Sequence, residues 1–195
     1  VYGQIATLTA TVSAKAPATG KPSGTVTFRK GATVLATGTV GADGKASVNV
    51  TTLATGVNDI VATYNGDSNF LAATAITHTH TVVRSGSANV VVAAPNPADL
   101  EQNVTVSANI AATPPGAGVP TGVVTFYVGS RIVTTNVTAG IASLQTSTLP
   151  SGVTAITATY SGDGNFLPSV SAVCSETVRC RAYVTNVNDS GPGSL

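Results

Sequence analysis

Leu53-Ala54-Thr55-Gly56-Val57-Asn58-Asp59-Ile60-Val61-Ala62-Thr63-Tyr64-Asn65-Gly66-Asp67-Ser68-Asn69-Phe70-Leu71 is the stretch on which the fold turns, because the chain contains it twice. It returns, 96 residues on, as Leu149-Pro150-Ser151-Gly152-Val153-Thr154-Ala155-Ile156-Thr157-Ala158-Thr159-Tyr160-Ser161-Gly162-Asp163-Gly164-Asn165-Phe166-Leu167. Inside each copy Ile60, Ala62 and Tyr64, or Ile156, Ala158 and Tyr160, alternate with other residues. That two-residue period predicts a strand with one face buried. Gly56 or Gly152 marks the turn before it. Working outward, Pro22-Ser23-Gly24-Thr25-Val26-Thr27-Phe28 returns as Pro120-Thr121-Gly122-Val123-Val124-Thr125-Phe126, shifted by 98 residues. A period this long exceeds the roughly 20–50 residues of a solenoid repeat, so each copy is a complete domain.

The remaining strands follow the same alternation. Ala6, Leu8, Ala10 and Val12 share one face of the first strand, with Thr7, Thr9 and Thr11 on the other. Val104, Val106, Ala108 and Ile110 repeat that face in the second copy. Val26 and Phe28, or Val124 and Phe126, point inward after the Pro-x-Gly turn. Lys30-Gly31 and Gly129-Ser130 turn the chain into short strands around Val34-Leu35 and Ile132-Val133. Ala46, Val48 and Val50, matched by Ala142, Leu144 and Thr146, line a further strand. Single strands are expected over about Thr74 to Val82 and about Ser171 to Val178. No helical period of useful length occurs. The fold class is all-β, two antiparallel β-sandwiches in tandem.

The 195 residues leave just under 100 for each copy, a normal size for a self-sufficient domain. Charged residues make up only 9%, against about 25% in an ordinary domain, so Thr, Ser, Asn and Gly cover the surface. Net charge is +1 with no basic cluster, which removes the electrostatic footprint of nucleic-acid binding and of adhesion to anionic membranes. No apolar run nears the roughly 18 residues of a membrane span; Val90 to Ala94 ends at Pro95. The chain opens on Val1-Tyr2-Gly3-Gln4 with no leader pattern and contains no Met, so it reads as a processed product or a part of something longer.

These motifs resemble the bacterial immunoglobulin-like domains (Big family, group three type) that occur in tandem in surface proteins and adhesins. The matching pieces are Tyr2-Gly3-Gln4 before the Thr-alternating strand, Pro-x-Gly-x-Val-Thr-Phe, Leu-x-x-Gly, and Ala-Thr-Tyr-x-Gly-Asp-x-Asn-Phe; they cover both copies almost end to end. The resemblance implies that the two antiparallel β-sandwiches are immunoglobulin-like, and that the protein is extracellular or on the cell surface. It also implies an opening strand ending in a Pro-Asn-Pro turn. The second copy has both, Asn89 to Ala94 and then Pro95-Asn96-Pro97. In the first copy residue 1 falls just after the place of that strand. Expected domains are residues 1–84, lacking the first strand, and 88–179, joined by Arg84-Ser85-Gly86-Ser87. Residues 180–195 form a tail, and Ala182 to Leu195 resembles the start of a parallel β-helix module.

Few residues offer chemistry. Asp67 and Asn69, with Asp163 and Asn165, present oxygens that calcium could use, but a calcium site takes 6–8 oxygen ligands. A turn in which Asp accepts backbone N–H bonds is the favoured reading. No cofactor is otherwise expected. His78 and His80 share one strand face, yet Cys174 and Glu176 stand there in the second copy. Cys174 and Cys180 lie about 20 Å apart if extended, and a disulfide needs Cα atoms within about 7 Å. A bridge between them is a candidate only if the chain folds back. Tyr64 and Tyr160 occupy the place of a corner tyrosine, ring in the core and phenol bonded to backbone. Asn49, Asn103 and Asn136 open glycosylation triplets that a Thr-rich strand protein produces by chance. The acids Asp43, Asp59, Asp67, Asp99, Glu101, Asp163, Glu176 and Asp189 form no recurring pair within one domain, and no nucleophile elbow, phosphate loop or metal motif appears. The chain is therefore not expected to be an enzyme.

Three functions remain in view. The first is a structural and adhesion module, a stalk or spacer segment whose partners are neighbouring domains of the same protein. The second is a filament subunit, in which Ala182, Tyr183, Val184, Thr185, Asn186 and Val187 of one copy add as a strand to the open edge of the next. That contact is heterologous and repeats without closing. The third is a carbohydrate-binding module using exposed aromatics, of which Tyr127 and Tyr183 are the ones to name.

Overall fold

Thr and Ser alternating with small apolar residues disfavour a helix and suit a pleated surface that is wet on one side. The computed structural model, which describes residues 1–180 and 182, accordingly contains sixteen strands and no helix among the described residues. The first domain holds β1 (Ala6–Thr11), β2 (Thr25–Lys30), β3 (Thr33–Thr39), β4 (Lys45–Val50), β5 (Gly56–Tyr64), β6 (Ala73–Thr74) and β7 (His78–Val82). The second holds β8 (Ser87–Ala94), β9 (Ala98–Asp99), β10 (Val104–Ala112), β11 (Val123–Val128), β12 (Arg131–Asn136), β13 (Ile141–Thr146), β14 (Gly152–Tyr160), β15 (Ser169–Val170) and β16 (Cys174–Arg179).

Each domain is a sandwich of two sheets. In the second, β13-β10-β8 face β12-β11-β14-β16-β9, with β15 also on β14. In the first, β1 pairs with β4 alone, facing β3-β2-β5 with β6 and β7 both on β5. The two copies keep the same register: Val26 is opposite Tyr64 and Phe28 opposite Ala62, as Val124 is opposite Tyr160 and Phe126 opposite Ala158. Pairs on the inner face set the core. Phe126, Ile156, Ala158 and Tyr160 are fully buried in the second, and Phe28, Ile60 and Tyr64 nearly so in the first. Burial of each large apolar side chain contributes about 1.5–3 kcal/mol.

The alternation was legible, but one element differs from expectation. The closing strand is not continuous from Thr74 to Val82. It breaks into β6 and β7, as its counterpart breaks into β15 and β16. Across the break the Ser171 N–H donates to the Ala158 carbonyl and the Ser171 hydroxyl accepts the Ala158 N–H. A side chain thus replaces one rung of the ladder. In the first domain Ala75 supplies only its N–H, to the Ala62 carbonyl.

The copies also differ in how well their inner faces are covered. Val104, Val106, Ala108 and Ile110 on β10 are at most 2% exposed, because β8 closes that side. At the matching positions only Leu8 is buried; Ala6, Ala10 and Val12 are half-buried. Among the described residues the second edge of β1 has no strand partner.

Candidate functional site: the joint between the domains

The Asp loops are the most ordered polar feature. Asp67 Oδ1 accepts the N–H groups of Asn69 and Phe70 at 2.7 and 2.8 Å, and Oδ2 accepts the Ser23 N–H and hydroxyl at 2.7 and 2.8 Å. Asp163 repeats this with Asn165, Phe166 and Thr121 at 2.7–2.8 Å. Each carboxylate ties its own loop to the Pro-x-Gly turn. Four such donors favour the ionised form. They hold Asp67 well below the usual carboxylate range, the Ser23 and Asn69 amides first among them. At Asp163 burial opposes the shift, yet the Thr121 hydroxyl and the three amides take it down to about 2. Among the described residues no three His, Cys, Asp or Glu side chains gather as a metal would need.

Tyr64 and Tyr160 put their rings in the core, as a corner tyrosine does, but among the described residues their buried hydroxyls make no hydrogen bond of good geometry, with the Asp67 and Asp163 carboxylates their polar neighbours. Burial, and then the Asp163 charge, push the Tyr160 phenol up to about 12. Tyr64 is raised by the same causes in its own domain.

The two loops, alike inside, differ outside. The second is the seat of the joint. Ser85, fully buried, donates its N–H to the Asn165 carbonyl and accepts the Leu167 N–H, both at 2.8 Å. The Asn165 side-chain oxygen accepts the Thr55 hydroxyl at 2.7 Å, so it reaches the turn between β4 and β5. The Arg84 guanidinium lies 3.5 Å from the Asp163 carbonyl, and the Ser87 hydroxyl bonds the Leu167 carbonyl and the Ser169 hydroxyl. Beneath these bonds Tyr2 packs against both cores and meets the ring of Phe166. The Tyr2 carbonyl accepts the Ala117 N–H at 3.3 Å. Small residues permit this approach: a Cβ on Gly116 would land on the Ser85 side chain.

Asn69, the twin of Asn165, is exposed instead, and Leu71 is 93% exposed against 41% for Leu167. Cys174 is a half-buried free thiol and Cys180 an exposed one. His78 and His80 pair with Ile60 and Asn58 on β5 and line a groove beside β1. Tyr127 is exposed on β11. Of the strand-addition segment only Ala182 is described, and it is exposed; residues 183–187 lie outside the described residues. The roles of Tyr2, Ser85 and Thr55 at the joint were not read from sequence, since each acts only across it. The run of small residues Ser85-Gly86-Ser87 was the available signal.

No curated protein matches the chain. Among solved structures it is similar to the fibronectin(III)-like modules of Clostridium thermocellum CbhA, with 16% identity over 94% of this chain and 92% of that one and a TM-score of 0.37. It is also similar to the BSP domain of a biofilm associated protein, with 21% identity and a TM-score of 0.30, over 88% of this chain but 27% of that one. The family model for the bacterial Ig-like domain (group 3) matches twice, over residues 1–83 and 91–179. With both copies matched and both sandwiches formed, the chain belongs to the bacterial Ig-like domain family, group 3.

Proposed function

We propose that the chain is a spacer segment of a bacterial surface or secreted protein, holding a functional module away from the cell at a fixed attitude. The joint is the observation that carries this reading. A flexible tether would leave the linker in water, whereas Ser85 is buried and bonded on both sides to the next domain. Tyr2 and Thr55 add contacts from two further parts of the first domain. Several separated contacts resist bending better than one hinge, because each must break when the domains rotate. Such a segment acts by length and by resistance to unfolding, and its antiparallel ladders supply that resistance without an active site.

Small-angle scattering tests it. A single rigid arrangement of the two domains should fit the profile, and Ser85→Pro, which removes the N–H given to Asn165, should broaden the distance distribution. If the unaltered chain requires a broad ensemble of domain orientations, it is a loose tether and the spacer reading fails.

A further inference from the structure

Beside the last strand of each domain lies the same turn. In the first domain the Tyr2 N–H donates to the Val83 carbonyl at 2.9 Å and the Gln4 N–H to the Val1 carbonyl at 3.1 Å. In the second the Leu100 N–H donates to the Arg179 carbonyl at 2.9 Å and the Gln102 N–H to the Asp99 carbonyl at 3.0 Å. Gly3 and Glu101 hold equivalent places in the two turns and share a left-handed backbone, with φ of 75° and 66°. The backbone at the two ends is therefore alike, and only the side chains tell the ends apart.

Those side chains differ where the joint is tightest. A Cβ on Gly3 would strike the carbonyl oxygen, the carbonyl carbon and the nitrogen of Ala117. Glu101 carries a Cβ and a charged chain at that very place. The obstacle is backbone, so no rotation of a side chain relieves the clash, and burying the Glu101 charge in the contact would add a desolvation cost. Tyr2, whose ring meets Phe166, is replaced by Leu100, which has no ring. Arg84, 3.5 Å from the Asp163 carbonyl, is replaced by Cys180. The Thr55 hydroxyl keeps an equivalent in Ser151.

We propose that Tyr2-Gly3 and Leu100-Glu101 act as a joining code. Tyr2-Gly3 specifies a fixed joint to a like domain that presents the Ala117 backbone and the Phe166 ring. Leu100-Glu101 refuses that same face, and Glu101 is the residue that discriminates. The code presupposes the fixed joint of the spacer reading and adds which ends can form it. The rigid unit is then the pair of domains, and a like domain joined after the second is not held in the same attitude.

Two three-domain chains test the code. Each consists of residues 1–179 followed by a second copy of residues 84–179, so both junctions contain Arg84, Ser85 and the Ala117 face. One keeps Leu100 and Glu101 in its middle domain; the other carries Leu100→Tyr and Glu101→Gly there. Small-angle scattering of the unaltered fusion should require a broad range of orientations at the new junction. The double variant should fit a single arrangement with a narrower distance distribution. Conversely, Gly3→Glu in the two-domain chain should broaden its profile, in a turn that already accepts Glu101 in the other domain. The code is overturned if the unaltered fusion is as narrow as the double variant, if the double variant stays as broad as its parent, or if Gly3→Glu changes nothing. The unaltered two-domain chain separates the two possible failures. A broad profile there removes the fixed joint itself, whereas a narrow one beside two indistinguishable fusions removes only the code.

Discussion

The Tyr2 ring meets the Phe166 ring edge-on, with centroids 5.5 Å apart and planes at 82°. Tyr2 precedes the first strand of one domain, and Phe166 closes the Asp loop of the other, so this contact lies across the joint. Edge-to-face geometry sets the positive rim of one ring against the negative face of the other. In the first domain Phe70, the twin of Phe166, is half-buried, and among the described residues no ring packs against it in this way. The same loop is therefore exposed in one domain and serves as a socket in the other.

Removing either ring separates these roles. Phe166→Ala should destabilise the second domain by about 3–5 kcal/mol, since the ring is buried in its core. Tyr2→Ala should cost less, and the two losses should fall short of additive by about 0.5–1.5 kcal/mol. Denaturant melts of both single variants and the double variant measure that coupling. Strict additivity would mean that the rings touch without stabilising the joint.

Gly3 shows that the joint, and not the local turn, demands glycine. Its φ is 75°, yet Glu101 occupies the equivalent position in the second domain at φ 66°. A side chain is thus tolerated by the turn itself. What differs is space: a Cβ on Gly3 would collide with the Ala117 backbone across the joint. Gly3→Ala should therefore loosen the two domains while barely moving the unfolding of the second. Small-angle scattering and proteolysis at Arg84 report the loosening, and an unchanged profile would refute the steric account.

How far the sequence leads depends on the range of the physics involved. Strand alternation and the Asp67 and Asp163 turns are local, so they are readable from a few adjacent residues. Inward positions such as Phe126 and Ile156 follow from the same period. The break between β6 and β7 was missed because Ser171 and Ala75 complete the ladder by a tertiary bond that alternation does not encode. The Tyr160 phenol was expected to bond backbone, but the fold sets it beside the Asp163 carboxylate with no hydrogen bond of good geometry. Tyr2 and Asn165 acquire their roles only when distant parts of the chain meet. No period or spacing within either copy records that meeting.

Acid stability should depend on Asp163. Its folded pKa of about 2 lies below the usual 3.8, so its contribution is fully present above 3.8 and is lost as pH falls through about 2. Asp163→Asn keeps the shape but loses the charge-assisted bonds to Thr121, Asn165 and Phe166. It should cost the second domain about 1–2 kcal/mol at neutral pH and flatten the acid limb of its stability curve. Denaturation midpoints between pH 2 and pH 7 provide the check. An acid limb as steep in the variant as in the parent would assign it to other groups.

Glu176 should act in the opposite sense. It is fully buried on β16, both carboxylate oxygens lack a well-formed hydrogen bond among the described residues, and burial raises its pKa above the usual 4.5 despite the nearby Ala98 and Thr177 amides. A raised acid stabilises the fold while protonated. That contribution is complete below 4.5 and disappears as pH climbs through the folded value. Glu176→Gln keeps the volume and never ionises. The variant should therefore match the parent at pH 4 and exceed it at pH 8, by about 1–3 kcal/mol, the cost of an uncompensated buried polar group. The first domain serves as an internal reference, because His80 stands at this position there. Its transition should not move between parent and variant. A gain from Glu176→Gln that is equal at both pH values would show that packing, and not ionisation, separates the two side chains.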